Sequence, residues 1–448
     1  MGSGIVHVDE LIDRQRLNGR SYFVIALLLI ALVCDGFDLQ LVGVAAPWIT
    51  EAWKVKPSEL VGPVQSANLF GMMLGAIFLG GLGDRIGRKK IIVGGVTLFG
   101  VMTLCCILTS TVLQLGIVRF LTGVGLGGVL PNVIALTAEA TPRLKRAMWT
   151  SVVIMGISLG SGLPGVVAAA LVPAQGWQAL FWVGGLLPLA IAMLLALTLP
   201  ESLLFQTSSG QREAVARRVR ELDASLPVTA DTQFVLRDER QAGKGSFREL
   251  FVPELRLTTP LLWIMFAGVL LSMHFLNSWI STVLKLGNLS PLQFSLTNSF
   301  FHWAGAIGTV ATALVLGRMG LKWVVVLLVA GFCALLTIAT LGFSSATILT
   351  LAVCMSGFGV VGCQGALNAS AGLIYPTHCR TTGVGAALGI GRVGSLLGPL
   401  VGGWVLNLNV PVQQMFYVPL IPLGLAVTAT LILLARRVDI RTTAALGH

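Results

Sequence analysis

GGLGDRIGRKK, residues 80–90, sets a tight burst of charge between two long apolar stretches. LGRMGLK, residues 316–322, does the same later in the chain, in register with residues 83–89 at an offset of 233. Arg85 then matches Arg318, Gly87 matches Gly320 and Lys89 matches Lys322. Further on, GVGLGG (123–128) lies against GFGVVG (357–362), and Pro142 and Arg146 fall on Pro376 and Arg380, at an offset of 234. Glycine is abundant, at 53 of 448 residues, so no single match carries weight. In register across three helix junctions, the matches indicate a duplicated unit.

Outside those loops the sequence is strongly apolar: 55% of residues are hydrophobic, 11% are charged, and the mean hydropathy is +0.86. No soluble domain of this length hides that much apolar surface, so lipid is the solvent for much of it. Apolar stretches lie near 21–47, 61–83, 91–111, 112–137, 148–171 and 178–199, then near 258–284, 293–317, 321–343, 346–374, 381–408 and 412–436. Most are long enough to cross ~30 Å of hydrocarbon at ~1.5 Å per residue. They must be helical, because lipid offers no partner to a free backbone amide. The expected fold is an all-α polytopic membrane protein of twelve transmembrane helices in two pseudo-symmetric six-helix bundles, 21–199 and 258–436. Parallel six-helix repeats with a solute site between them at mid-membrane are a known transporter plan. Glycines crowd the fourth, tenth and eleventh stretches, where small residues permit close helix approach. Pro131, Pro164 and Pro399 are expected to kink their helices.

A formal charge of +11 invites a nucleic-acid or acidic partner, but its distribution excludes one. With a cytoplasmic N-terminus, 25 of the 30 Lys and Arg fall on one side of the membrane. Lys54, Lys56 and Lys285 lie on the other side, and Arg119 and Arg392 lie within apolar stretches. The positive-inside rule then places both termini in the cytoplasm. Residues 1–20 read as a cytoplasmic N-terminal segment without a cleavable signal, 200–257 as a cytoplasmic linker, and 437–448 as a cytoplasmic tail. Within the linker, QREAVARRVREL (211–222) is a basic amphipathic run, taken as part of a solvated connector rather than a lipid-binding helix. The seven cysteines lack metal-ligand spacing and read as structural thiols. No phosphate loop, metal cluster or nucleophile–base pairing stands out, which argues against an enzyme. No metal or cofactor is expected, and one chain carrying both halves makes a monomer the expected unit.

GGLGDRIGRKK resembles the signature loop of the major facilitator superfamily, through Gly80, Asp84, Arg85, Gly87, Arg88 and Lys89. The resemblance implies the major facilitator fold and a conformational latch. Asp84 faces a helix N-terminus and nearby guanidinium groups in one state and loses those contacts in the other. Glu139, with Arg143, Arg146 and Arg380, is assigned to this latch; the second loop has Gly317 where the first has Asp84. A narrower similarity runs almost end to end. HVDELIDRQRLNGRSYFVIALLLIALVCDGFDLQLVGVAAP (7–47), RFLTGVGLGGVLPNVIAL (119–136) and QGALNASAGLIYPTHCRTTGVGAALGIGRVGSLLGPLVGG (364–403) are similar to aromatic acid:proton symporters. Its most telling element is DGFD (35–38). Membership implies import of benzoate-, hydroxybenzoate- or phenylpropionate-type acids by alternating access, with the proton gradient as the energy source.

The residues themselves point the same way. An isolated charge at membrane depth costs roughly 3 kcal/mol or more, so each one needs a partner or a task. Asp35 and Asp38 share a face at i and i+3 in the first stretch, and Arg119 and Arg392 supply two opposite charges. The four sum to zero. A substrate carboxylate adds one negative charge, and a proton on Asp35 or Asp38 restores neutrality and frees an arginine for bidentate binding. The alternative is that the four form static structural pairs.

Gln364 and Asn368, one helical turn apart, are expected to line the cavity, with His274 and Asn132; Gln65, Asn68, Asn277 and His302 are further polar candidates, His302 leaning structural. Phe37, Phe275 and Trp279 are candidate ring neighbours. The competing functions are import of another organic anion, proton-driven efflux of a lipophilic compound, and a receptor or channel sharing the fold. Two basic residues at depth favour an anionic solute.

Overall fold

In a computed structural model of the chain, the described residues are 5–14, 17–222, 232–236, 247–341, 345–376, 379–408 and 410–436. The tail expected at 437–448 lies outside them, as do parts of the 1–20 and 200–257 segments. A short strand β1 (Ile5–His7) and helix α1 (Val8–Arg14) precede six long helices: α2 (Gly19–Trp53), α3 (Pro57–Ile86), α4 (Arg88–Cys105), α5 (Val112–Glu139), α6 (Arg146–Gln175) and α7 (Gln178–Thr198). The middle segment holds α8 (Leu203–Ser208), α9 (Arg212–Leu222) and strand β2 (Gln233–Val235). Six more long helices follow: α10 (Thr258–Leu286), α11 (Pro291–Met319), α12 (Leu321–Leu341), α13 (Ala346–Ile374), α14 (Arg380–Asn407) and α15 (Leu420–Ala435). Short 3-10 turns extend α4 to Leu108 and precede α15 from Val412. These twelve helices are long and apolar enough to cross a membrane, and the chain is a multi-pass membrane protein.

Local chemistry sets the helix ends. The Asn18 side chain accepts the Ser21 amide at 2.9 Å and starts α2. Ser290 and Gln293 form a reciprocal capping box at the start of α11, with Pro291 in its first turn. Pro131, Pro164 and Pro399 sit inside α5, α6 and α14.

The two halves pack alike. α3 lies on α5 as α11 lies on α13, α2 on α6 as α10 on α14, and α4 on α7 as α12 on α15. The duplicated glycines show why. A Cβ on Gly123 would stand 2.1 Å from the Asn68 carbonyl oxygen, and one on Gly357 would stand 2.1 Å from that of Phe301. Both positions hold helix backbones in direct contact, at equivalent places in the repeat.

The halves meet along α3–α14, α6–α11 and α2–α10. Their bonds run from the middle of the bundle to the end opposite the termini. Ser66 Oγ donates to the Leu396 carbonyl at 2.9 Å, Trp303 Nε1 to that of Leu159 at 3.3 Å, and Lys285 Nζ to both Glu51 and the Pro47 carbonyl at 2.7 Å. Nearer the other end, Gly81 on α3 and Gly385 and Gly389 on α14 have nothing within 4 Å of an added Cβ.

The middle segment is more than the solvated connector expected of it. β1 and β2 pair in parallel, and Val215 and Val219 of α9 bury against Val8, Ile12 and Leu203. The amphipathic run thus turns its apolar face onto the N-terminal segment, forming a small cap on the first half. Arg146 holds Asp13 of α1 at 2.6 Å, and Arg20 pairs with Glu221 of α9. Partial burial pushes the Glu221 carboxyl up, but bonds and charge from Arg218 and Arg20 outweigh it and hold the group below its usual range.

Replacing Gly123 or Gly357 by Leu forces these contacts apart and should cost about 1–3 kcal/mol each. The readout is the melting temperature of detergent-purified protein. The same change at Gly317, where nothing lies within 4 Å, should leave melting unchanged; equal losses at all three positions would contradict the packing account.

Candidate functional site

The four membrane-depth charges divide into two unlike pairs. Asp38 and Arg119 are fully buried and closed on each other: Arg119 Nη1 and Nη2 reach the two carboxylate oxygens at 2.9 Å, and Nη2 also reaches the Asp38 carbonyl at 3.0 Å. Thr103 Oγ1 of α4 donates to the same carboxylate at 2.6 Å. This ties α2, α4 and α5 together by a charge-assisted network. Arg119 is absent from the lining of the central cavity.

Asp35 and Arg392 are arranged differently. Both line a cavity of about 210 Å³ between the halves, and each lies within the other's electrostatic reach, yet no direct ion pair joins them. Asp35 is 1% exposed, and its Oδ1 has no hydrogen-bond partner among the described residues. Desolvated groups of this kind are costly unless something completes them. One helical turn therefore separates an acid that is sealed from an acid that is open. Sequence spacing placed them on one face of α2; the position of Arg119 distinguishes them.

The cavity draws polar residues from both halves. Gln65 and Asn68 come from α3, His274 and Asn277 from α10, His302 from α11 and Gln364 from α13. Of the residues assigned to substrate, the structure brings Arg392, Gln364 and His274 to this cavity beside Asp35. It places the others elsewhere. Asn368, one turn beyond Gln364, is exposed and outside the lining. Asn132 donates to the Gly128 carbonyl at 2.8 Å and the Leu79 carbonyl at 3.4 Å, joining α5 to α3. Trp279 is wholly buried, its Nε1 donating to the Pro399 carbonyl at 2.9 Å, so it ties α10 to α14. Phe37 packs beside Gly184 of α7. The apolar part of the cavity lining is aliphatic and thioether, including Met72, Leu130, Ile157, Met273 and Val361.

Gln40 and Ser161 also line the cavity and carry no signal in the sequence beyond being polar in an apolar run. Thr103 was equally silent, since a threonine in an apolar helix ordinarily bonds to its own backbone.

At the end bearing the termini, the latch residues form one network within the first half. Arg88 bonds Asp84 at 3.0 Å and also pairs with Glu139, whose carboxylate accepts Ser202 Oγ at 2.8 Å. Arg146 turns to Asp13 and the Ala138 carbonyl, while Arg88 takes Glu139. Gly87 has φ +109, and a Cβ there would meet Glu201 Oε2 at 2.3 Å, so only glycine fits the corner. Gly80 packs near Pro131, Arg85 is exposed, and Arg380 Nε donates to the Tyr375 carbonyl at 3.3 Å in the second half.

A duplicated twelve-helix bundle with an ionisable cavity at its seam defines a secondary transporter rather than an enzyme. The chain belongs to the Major Facilitator Superfamily, whose family model matches residues 28–288 and 262–446. It is 33% identical to the gallate transporter of Pseudomonas putida over 415 residues, covering 92% of this chain and 91% of that protein. It is 33% identical to the 4-hydroxybenzoate transporter of Pseudomonas aeruginosa, covering 95% of each. The 3-(3-hydroxy-phenyl)propionate transporter of Escherichia coli is 31% identical, with 95% of this chain and 97% of that protein covered. Among solved structures, a bacterial homolog of the human lysosomal transporter Spinster, inward-facing and unoccupied, superposes with a TM-score of 0.68 at 16% identity, covering 95% of this chain and 96% of that one. The last likeness concerns the fold alone.

Removing one partner of the sealed pair, by Asp38→Ala or Arg119→Ala, should destabilise the protein by about 3–5 kcal/mol by stranding a buried charge. The double change Asp38→Leu with Arg119→Met should cost less than the two single losses combined. Thermal unfolding checks both, and additive losses would show that the groups do not act as a pair.

Proposed function

We propose that this chain is a proton-coupled symporter importing a small aromatic carboxylate across a bacterial inner membrane, as a monomer with both termini in the cytoplasm. The observation that carries the reading is the open pair: Asp35 and Arg392 face one cavity without a direct bond, while Asp38 and Arg119 neutralise each other outside it. The named relatives transport gallate, 4-hydroxybenzoate and a hydroxyphenylpropionate, all ring-bearing acids, which supports the substrate class. The skew of basic residues supports the orientation.

Charge balance then gives the mechanism. The empty cavity is neutral, with Asp35 ionised and Arg392 positive. An incoming carboxylate takes the Arg392 guanidinium, whose planar fork matches it. That leaves one excess negative charge, which a proton on Asp35 cancels. The neutral, loaded cavity crosses the low-dielectric step between open states, whereas a singly loaded one carries net charge and resists it. With the termini in the cytoplasm, the Lys285–Glu51 contact lies on the outer side.

In proteoliposomes with an inward proton gradient, wild-type protein should accumulate benzoate-type acids, and a protonophore should abolish accumulation. Asp35→Asn should lose gradient-driven accumulation while retaining exchange of labelled for unlabelled substrate. Arg392→Leu should lose both. Substrate affinity should rise as pH falls, because proton and anion enter together. Accumulation that persisted in Asp35→Asn would rule out this assignment of the proton site.

A further inference from the structure

Resting on the aromatic-acid reading, we propose that the cavity selects acids whose ring carries hydroxyl groups, and that His302 is a residue that reads them. The charged end of the cavity is accounted for: Arg392 reaches Asp35 and His274 electrostatically, and the carboxylate belongs there. His302 lines the same cavity from the second half. It sits at 4% exposure on α11 with its ring against Phe301, 5.0 Å between centroids, and its Nε2 has no hydrogen-bond partner among the described residues.

His302 is not alone. Among the described residues, Asn68 is 1% exposed with both amide atoms unpartnered, and Gln40 Oε1 and Asn277 Oδ1 are likewise unpartnered, all of them on the same cavity. Buried polar atoms are satisfied in the great majority of cases, so five orphans around one solute site mark a ligand with polar edges. Both halves contribute: Gln40 and Asn68 from the first, Asn277 and His302 from the second.

A bare ring fits this wall badly. On entering, it expels the waters that satisfy these atoms and returns no hydrogen bonds. A phenolic hydroxyl both donates and accepts, which suits an amide edge and an imidazole nitrogen. The apolar flanks at Met72, Leu130 and Val361 hold the ring faces and leave its edge to the polar atoms. Discrimination against an analogue lacking a hydroxyl is largest where the site's own polar groups would be stranded.

The test is calorimetric binding of benzoate and of 3,4,5-trihydroxybenzoate to purified full-length protein at one pH. Wild-type protein should bind the trihydroxy acid at least about tenfold more tightly. His302→Leu should remove most of that preference by weakening the trihydroxy acid while leaving benzoate within about twofold, and His302→Gln, which keeps a hydrogen-bonding group, should retain it. Asn68→Leu supplies the same reading from the other half if His302→Leu fails to fold. Equal binding of the two acids by wild type, or a preference that survives both leucine changes, overturns the inference and leaves the aromatic-acid reading standing. Binding of neither acid overturns both.

Discussion

Charge carried into a bilayer has to be cancelled where it sits, and in this protein that requirement is met twice by different means. Asp38 and Arg119 cancel by contact, with Thr103 adding a third bond, and the result is a neutral knot inside the first half. Asp35 and Arg392 cancel only at a distance, from opposite halves and across a cavity. Contact makes the first pair a fixture. Separation makes the second pair receptive, because each member retains capacity for a further partner. The proposed coupling of an anion to a proton follows from that difference.

The surrounding architecture allows this difference to matter. Direct backbone contact at Gly123 and Gly357 gives each half a stiff core, and the two halves touch each other through a narrower seam. The seam carries few specific bonds, such as Ser66 to Leu396 and Lys285 to Glu51, which a rocking motion can break without disturbing either core. The first half bears an additional brace at the opposite end, where Arg88 spans Asp84 and Glu139 and the α1–α9 cap covers the neighbouring surface. The second half lacks the acid at Gly317. The duplicated halves are thus alike in packing and unlike in how their ends are fastened.

Much of this was legible in the sequence because apolar length, repeat register and the skew of basic residues each act at the scale of whole helices. Helix ends were less legible: the run expected at 21–47 extends from Gly19 to Trp53, because capping by Asn18 and the last turns before Lys54 owe nothing to hydropathy. Within the site, the ionisable residues announced themselves by their cost in lipid, but their pairing did not. Asp35 and Asp38 are indistinguishable by spacing, and only the approach of Arg119 across two helices separates them. Polar side chains gave the weakest guidance. Asn132 and Trp279 satisfy backbone carbonyls on adjacent helices, whereas Asn68 and His302 remain open to the cavity, and no local pattern tells one outcome from the other. The cap was missed because part of the surface that α9 buries against, at Val8 and Ile12, lies about two hundred residues earlier in the chain.

Proton uptake on binding probes the unequal pairs most directly. Weakly buffered, detergent-purified protein is mixed with substrate, and the change in free proton concentration is followed by a pH-sensitive dye. The account predicts net uptake on binding in wild-type protein and none in Asp35→Asn that still binds. Binding without proton uptake in wild type, or uptake undiminished when Asp35 can no longer ionise, would contradict it.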